Sequence, residues 1–511
     1  MPNIPSVTIT VQDNGSSAAL SVPQASVQLK IGCAVGGTVN VPVATTSPTY
    51  LQTALIGGPL VEASGLVCKE GNVVVAVPCA IATKGTAGAV VATVPGGSTS
   101  AVTVTCDSTN GAWDETYVLM KCVTGGTIGT AGIVLQVSLD AGKNYGTPIA
   151  LNTANTLVLG APWNPPTIGG TGLTLNFGSG TMFAGDTWRF HTTAPTWNDA
   201  GVEAAVAAFQ ASQYGVAGVG SAHLVGVSSS GDLTAMQTAM QSGVAIYEYQ
   251  RLIMELRDAS PPVAWGGSGE TEVAWMAALA LVTAGEAAQP RICADAGHYN
   301  TPSPYANAAG GSPSYRRPGA WSHAVRRTQI PLQRRAGRVK DGPYPTIAVN
   351  AATDPADGFF YHDERTTPGL NASRIGSLMT WPKKGAGFYQ CQEPLLSAPG
   401  SQFTELVIGN VLDAACDIGY AAGVEEVSDD LLLQDNGTLD PIDLNVYQGN
   451  VQQALNEGMV QTPLVSSVTA EVSSTANVGS TGQIPIAIAV QPRGYANAIV
   501  ETISLTNGGG K

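Results

Sequence analysis

Apolar and polar residues alternate at both ends of this sequence. Val7, Ile9 and Val11 alternate with Thr8, Thr10 and Gln12; near the other end Ile499, Ile503 and Leu505 share one face, with Val500 and Thr502 opposite. A period of two with one apolar side is the pattern of a half-buried strand. Such a strand needs a sheet to satisfy its backbone N–H and C=O groups and to cover its apolar face. The neighbouring tracts, 13–19 and 508–510, suit tethers. The pattern therefore predicts two strand-bearing arms able to add to another subunit's sheet. The alternative is that both strands dock in their own domain.

Between the ends the period changes repeatedly. Residues 22–80 predict strands at Val27–Val35 and Val39–Ala44, a helical turn started by Ser47-Pro48, and a short helix over Leu60–Cys68. The continuous apolar run Val73–Val77 reads as a strand buried on both faces. From 83 to 195, runs such as Val90–Val94, Tyr117–Val123, Leu173–Phe177 and Thr187–His191 are separated by Gly, Asn and Asp turns. That spacing predicts an all-β, sandwich-like domain inserted into an α/β domain. Helical period resumes at Asn198 or Asp199, which can cap a helix with Val202, Val206 and Phe209 on one side. A strand at His223–Val227, one long helix over Asp232–Asp258 bent at Gly243, a helix over Glu270–Ala284 and a strand at Arg291–Ala296 follow. Residues 297–320, rich in Pro, Ser, Tyr, Gly and Asn, predict a long exposed loop. Later come strands at Ile375–Thr380 and Gly387–Gln392, a helix over Gln402–Tyr420, an acidic segment 425–443, a helix at 445–457, and strands at Val465–Val472 and Ile484–Val490.

Composition adds a constraint. Over 511 residues only 12% are charged, about half the usual share of roughly 25%. A surface so poor in charge predicts large protein–protein contacts, although extracellular β-rich proteins can share the trait. The net charge of −14 is unevenly spread. Arg316, Arg317, Arg326, Arg327, Arg334, Arg335, Arg338 and Lys340 crowd one stretch with no acid, whereas residues from 385 onward carry acids against only Arg493 and Lys511. The asymmetry predicts complementary surfaces, with Arg326, Arg327, Arg334, Arg335 and Arg338 as a candidate charged interface. A nucleic-acid site is the competing reading of the arginines, but no aromatic platform is interleaved and the chain as a whole repels phosphate. The cysteines show no C-x-x-C pair and sit mostly in apolar runs, as small hydrophobes do. With no secretory signal pattern and no apolar run of membrane-spanning length, a reduced cytosolic folding compartment and no stable membrane association are expected.

No constellation of an enzyme stands out. The sequence has no phosphate-binding G-x-x-x-x-G-K-[ST], no H-E-x-x-H and no G-x-S-x-G. The glycines of 215–220 precede a strand, the reverse of a dinucleotide loop. Five histidines (191, 223, 298, 323, 362) fall at no helical metal-ligand spacing. Asp435–Asp440 lacks the alternating ligands of a calcium loop and reads as a turn. His362-Asp363-Glu364-Arg365 is the densest polar cluster, and a salt-bridged strand end or interface explains it better than catalysis. No catalytic residue, metal or cofactor is assigned.

The run Leu29-Lys30-Ile31-Gly32, Gly36-Gly37, Pro42-Val43, Ser47-Pro48, Gly57-Gly58-Pro59-Leu60 and Gly71-Asn72-Val73 resembles the opening of contractile tail sheath proteins of bacteriophages and related injection machines. The C-terminal 120 or so residues, through Ile484-Pro485-Ile486, Gln491-Pro492 and the final strand Ala498–Ile503, are similar to the same family. Gly172–Leu175 and Gly185–Trp188 resemble repeats in the inserted β-domains of some sheaths. Cys33 departs from the small polar residue usual at its position.

The resemblance implies an α+β, α/β multidomain fold: a tail-sheath-like core, an inserted all-β domain and strand-donating arms. The expected divisions are an N-terminal arm (1–21), a first α/β part (22–82), the β-insertion (83–195), a second α/β part (196–349), an inner C-terminal domain (350–492) and a C-terminal arm (493–511). It also implies a non-enzymatic subunit of a virion tail, assembled in the host cytoplasm. That subunit would polymerise with itself, in stacked hexameric rings, around a tail tube protein and contract, with baseplate and tail terminator proteins as further partners. Val7, Ile9, Val11, Ile499, Ile503 and Leu505 would carry the inter-subunit arms, pairing beside the 465–472 or 484–490 strands of adjacent copies. Glu425, Glu426, Asp429 and Asp430 are expected to face the tube, and the β-insertion to project outward and be dispensable for polymerisation. Competing readings are a capsid or tail decoration protein, or a cell-surface glycan hydrolase, which would need a carboxylate pair in a cleft and for which the acid-rich 425–443 segment is the candidate.

Overall fold

The computed structural model describes residues 27–160, 170–217, 219–286, 288–305, 313–348, 358–398 and 400–495. Its centre is a six-stranded sheet of β1 (Val27–Cys33), β2 (Val43–Thr45), β3 (Val73–Cys79), β4 (Ser221–Val227), β5 (Leu252–Glu255) and β6 (Ile292–Asp295), in the order β6-β5-β4-β1-β3-β2. Only β2 runs antiparallel to its neighbour. β1 is buried along its whole length and β3 at all but its first residue, which is why both read as near-continuous apolar runs.

Helices cover both faces. α1 (Pro48–Leu55) begins where Ser47 accepts a hydrogen bond from the Tyr50 N–H, with Pro48 at its first position. α2 (Pro59–Lys69) lies beside it. The other face receives α3 (Asp199–Gln210), capped by Asn198, then α4 (Ser230–Val244) and α5 (Glu272–Ala284). Leu29, Ile31, Val75 and Val77 meet Val206, Phe209, Met236 and Trp275 on this side. Each such side chain, fully buried, contributes about 1.5–3 kcal/mol. On the opposite face Val74, Ala76 and Val225 pack with Leu60, Leu66 and Trp321, the last from α6 (Gly319–Gln329).

Strands between Val91 and Thr192 form sheets of their own. A five-stranded antiparallel sheet centred on Thr116–Thr124 and Thr187–Thr192 and a three-stranded one centred on Leu173–Phe177 share one core, containing Val118, Leu135, Leu175, Trp188 and Phe190. The chain leaves β3 for this β-rich part and returns at α3, so the α/β order is interrupted and resumed.

The C-terminal part holds α7 (Leu406–Glu425), α8 (Pro441–Leu455) and a hairpin of Val465–Val472 with Ile486–Pro492, packed through Val411, Ile418, Val451, Leu455, Val468 and Ile488. By length and composition α7 would suit a membrane span. Its Asp413 is ion-paired inside the protein and its apolar stripe faces α8 and the hairpin, as in a core helix.

Two expectations need correction. Asp232–Asp258 is not one helix: α4 stops at Val244, Tyr247 takes a positive φ of 64°, and Leu252–Glu255 is a fully buried strand. The described residues of 297–320 are not an exposed loop. His298–Pro302 pairs with Ser314–Pro318 and α6 follows at once, nearly all of it buried.

Candidate functional site: buried ion pairs and an open strand edge

Adjacent parallel strands each place a polar side chain under α6. Lys30, His223, Glu255 and Asp295 come from β1, β4, β5 and β6, and each is at most 3% exposed. Lys30 Nζ lies 2.8 Å from His223 Nδ1, and His223 Nε2 lies 3.0 Å from Glu255 Oε1. Burial holds the His223 imidazole well below its ordinary pKa, helped by Lys30, so the ring is neutral. Burial also pulls Lys30 down to about 7 and pushes Glu255 up to about 8. Glu255 takes hydrogen bonds from the Gly226 N–H (3.0 Å) and the Trp321 indole (2.6 Å), which keep the carboxyl satisfied.

Two residues further along α6, His323 bridges Asp295 (2.6 Å, Nδ1) and Glu393 (2.7 Å, Nε2). Burial disfavours the charged ring, but the two carboxylates outweigh it and raise its pKa to about 9. Cys293 lies beside them, so three metal-type donors converge here. With both ring nitrogens carrying protons held by carboxylates, His323 offers no lone pair at neutral pH. The cluster is a balanced ion-pair network, completed by Arg327 at 3.6 Å and the Ala336 N–H at 2.9 Å from Glu393.

A second network ties the β-insertion to the core. Arg317, 3% exposed, holds Glu62 of α2 through Nε (2.9 Å) and Asp114 of the insertion through Nη2 (3.0 Å), and donates to the Glu115 carbonyl. Arg316 grips Asp258 through two hydrogen bonds, at 2.5 and 2.9 Å. Burial opposes ionisation of Asp258, yet Arg316 and His298 hold its carboxyl down to about 2. Tyr315 joins the core of the insertion, while Tyr117 of the insertion makes edge contacts with Trp265 and Phe359. A third network fixes α7: Asp413 receives Arg251 (2.8 Å) and Arg291 (3.4 Å). Gly409 permits this, since a Cβ there would lie 2.2 Å from Arg251 Nε.

These positions revise the arginine reading. Arg326 and Arg327 are buried and donate to backbone carbonyls of this chain: Arg326 to those of Asp341, Gly342 and Pro343, Arg327 to those of Leu332 and Arg334. They are no part of a charged surface. Arg335 pairs with Glu405 and stacks 4.4 Å from the Tyr495 ring. Arg334 and Arg338 both reach Asp341 while staying partly exposed. All five histidines lie within 3.6 Å of a carboxylate. His362 bridges Glu272 and Glu364, and Glu364 accepts three backbone N–H groups from Gly369 to Asn371, so that cluster is a structural knot.

The four acids sit where α7 ends. Glu425, Asp429 and Asp430 are exposed; Glu426 accepts from Asn450 (2.7 Å) and Asp429 from the Tyr447 hydroxyl (3.3 Å). Leu432, Leu433, Ile442 and Val446 are exposed close by in the chain. The hairpin has two unlike edges. Along Val465–Val472, the Gln452 amide donates to the Val468 carbonyl (3.1 Å) and accepts from the Ala470 N–H (2.8 Å), and Gln448 accepts from Val472 (3.3 Å). Side chains of α8 thus stand in for a third strand. Residues opposite each other in an antiparallel pair point their backbone groups the same way, toward or away from the partner. Ile486, Ile488 and Val490, opposite Val472, Ala470 and Val468, therefore present theirs outward. Among the described residues no hydrogen bond covers that edge. The arm residues Val7, Ile9, Val11, Ile499, Ile503 and Leu505 lie outside the described residues.

Residues 4–389 match the family model DUF2586, N-terminal domain. The chain belongs to the DUF2586 family. The match spans the six-stranded sheet, the β-insertion and the Arg316–Arg317 network, and ends before α7, α8 and the hairpin. No curated protein matches the sequence. Among solved structures this DUF2586 chain is similar to the sheath tail protein of Desulfitobacterium hafniense, at 10% identity over 95% of this chain and 96% of that one, with a TM-score of 0.46. It is similar to a sheath tail protein of Listeria innocua at 8% identity over 93% of each chain, TM-score 0.43. It is also similar to the contracted helical sheath of the anti-feeding prophage, at 10% identity over 99% of each chain, TM-score 0.44.

Proposed function

We propose that the chain is a structural, non-enzymatic subunit of a contractile tail sheath. It polymerises as a helical tube around a tail tube and contracts to drive that tube through a host envelope. The observation that carries the reading is the hairpin of the C-terminal part. One edge is closed by Gln448 and Gln452, the other is open among the described residues, and the sequence supplies strand-patterned arms at 5–12 and 497–506 to fill it. An added strand of six residues makes roughly five backbone hydrogen bonds at about 0.5–1.5 kcal/mol net each. Repeated along a polymer, that tethers neighbours while other contacts repack between two states.

On this reading the edge at Ile486–Pro492, rather than that of Val465–Val472, accepts the arms. The exposed acids Glu425, Asp429 and Asp430, with Glu426, face a basic tube surface, and the β-insertion projects outward. Baseplate and terminator proteins bind the ends of the polymer, and the particle is a virion tail or tail-like device. A glycan hydrolase fits less well. The cavity bordered by the acids Glu62 and Asp114 measures about 40 Å³, too small for a sugar ring, and Arg317 pairs both acids.

Electron microscopy of the purified chain tests the proposal. Long striated tubes are the expected result, and discrete monomers at high concentration overturn it. Proline at Ile9, Ile503 or Val490 removes a ladder donor on either side of the arm contact. Each variant should stay folded and fail to form tubes.

A further inference from the structure

Where α2 meets the β-insertion, a small cavity holds about 40 Å³, room for a few water-sized bodies. Glu62, Trp113, Asp114, Thr171 and Tyr305 line it, beside the backbone of Gly58. Glu62 is 6% exposed. Its Oε2 is taken by Arg317, and its Oε1, buried in the wall, has no hydrogen-bond partner. A buried carboxylate oxygen without a partner is costly and calls for a donor.

The charges say which donor. Two carboxylates share a single guanidinium, so the group is one positive charge short of neutral. Burial pushes the Asp114 carboxyl up to about 7 against the pull of Arg317, with Glu62 adding to the rise. That is the state of an acid lacking a cation. The walls narrow the choice further, because the Trp113 and Tyr305 rings favour a compact organic cation. A divalent metal ion would be repelled by Arg317 and would overshoot neutrality.

We propose that this cavity binds one primary ammonium group, the head of a free alkylamine or of a lysine side chain from a second copy. The ammonium donates to Glu62 Oε1, and the guanidinium keeps the opposite sides of both carboxylates. The proposal does not depend on the sheath reading, since the site is formed within one chain.

Calorimetric titration of the unassembled full chain with n-propylammonium chloride, against sodium chloride at equal ionic strength, tests it. A saturable heat with propylammonium, absent with sodium, is expected, with Trp fluorescence changing in parallel through Trp113. Glu62→Gln, which keeps the shape and removes the charge, should weaken binding at least about tenfold, and Asp114→Asn should weaken it less. The absence of saturable heat in the unaltered chain overturns the proposal whether or not the variants fold. An equal response to sodium overturns it too, leaving water or a metal ion to satisfy the oxygen. If propylammonium also slows assembly, the source is a lysine of a second copy; if it binds without touching assembly, the source is a free amine.

Discussion

The seam between core and β-insertion makes a join within the chain, and the edge of the C-terminal hairpin, on the sheath reading, makes one between copies by opposite means. At the seam Arg317, buried against Glu62 of the core, also holds Asp114 of the insertion, so displacing the insertion leaves Asp114 without its cation. At the hairpin edge the available groups are backbone N–H and C=O of Ile486, Ile488 and Val490, which any strand of suitable length can meet. The first kind of join is set once, when the chain folds. The second can be made late and exchanged. On the sheath reading, a subunit that moves as a rigid body yet stays linked needs both kinds.

The sharpest way to break the first join is Arg317→Met. It leaves Glu62 and Asp114 buried without their cation and should cost about 3–5 kcal/mol, read as a lowered denaturation midpoint. Replacing 83–195 by a short linker strips Asp114 from Arg317 and uncovers Tyr315 and Phe359. Arg317 keeps Glu62, so the insertion should be dispensable for assembly only in variants that also make the uncovered Tyr315 and Phe359 polar. A stable linker variant with an unaltered seam would show that the join is weaker than its geometry implies.

The pH dependence of stability probes buried charge next. His323 has a folded pKa of about 9, above its ordinary 6.5. The stability it contributes is fully present below about pH 6.5 and is lost as pH rises through about 9. Denaturation midpoints should therefore fall across that window, and His323→Gln should flatten this part of the profile. An unchanged profile in the variant would assign the loss to other groups.

At the hairpin, Gln452→Leu removes two hydrogen bonds from the closed edge, at about 0.5–1.5 kcal/mol each. It should lower stability modestly and raise irregular aggregation, measured by light scattering, because a second edge becomes available. The smallest effect belongs to the exposed acids. Reversing Glu425, Glu426, Asp429 and Asp430 to Lys should leave the fold intact and weaken tube attachment, with reduced salt sensitivity, since each exposed pair is worth about 0–1 kcal/mol. Unaltered attachment would remove them from the tube surface.

Elements were legible wherever local pattern and fold agree. Val73–Val77, the Ser47-Pro48 start and the Asn198 cap all signal through residues next to one another. Leu252–Glu255 is hidden inside the predicted helix because four buried residues carry no period, and they follow a true helix closely. His298–Pro302 and Ser314–Pro318 read as loop because their sequences are polar; their partners are distant, Glu62 standing 255 residues from Arg317. The burial of Arg326 and Arg327 has another cause: their acceptors are backbone carbonyls only 5 to 17 residues further on, which leave no side-chain signal in the sequence. The strands themselves carry one signal of the buried network: Lys30, His223, Glu255 and Asp295 each interrupt or end an apolar strand. Parallel strands set side by side would have brought them together.

The two glutamines on α8 bear on how many neighbours a subunit can hold. A hairpin open on both sides has a valence of two at a single site and can branch. With Gln448 and Gln452 occupying one side, strands can be laid down from the other side only, the second resting on the first. On the sheath reading, growth is then ordered and unbranched, and the sheet finishes when the supply of arms is spent. The regularity of the polymer would rest on two side-chain amides that never leave their own subunit.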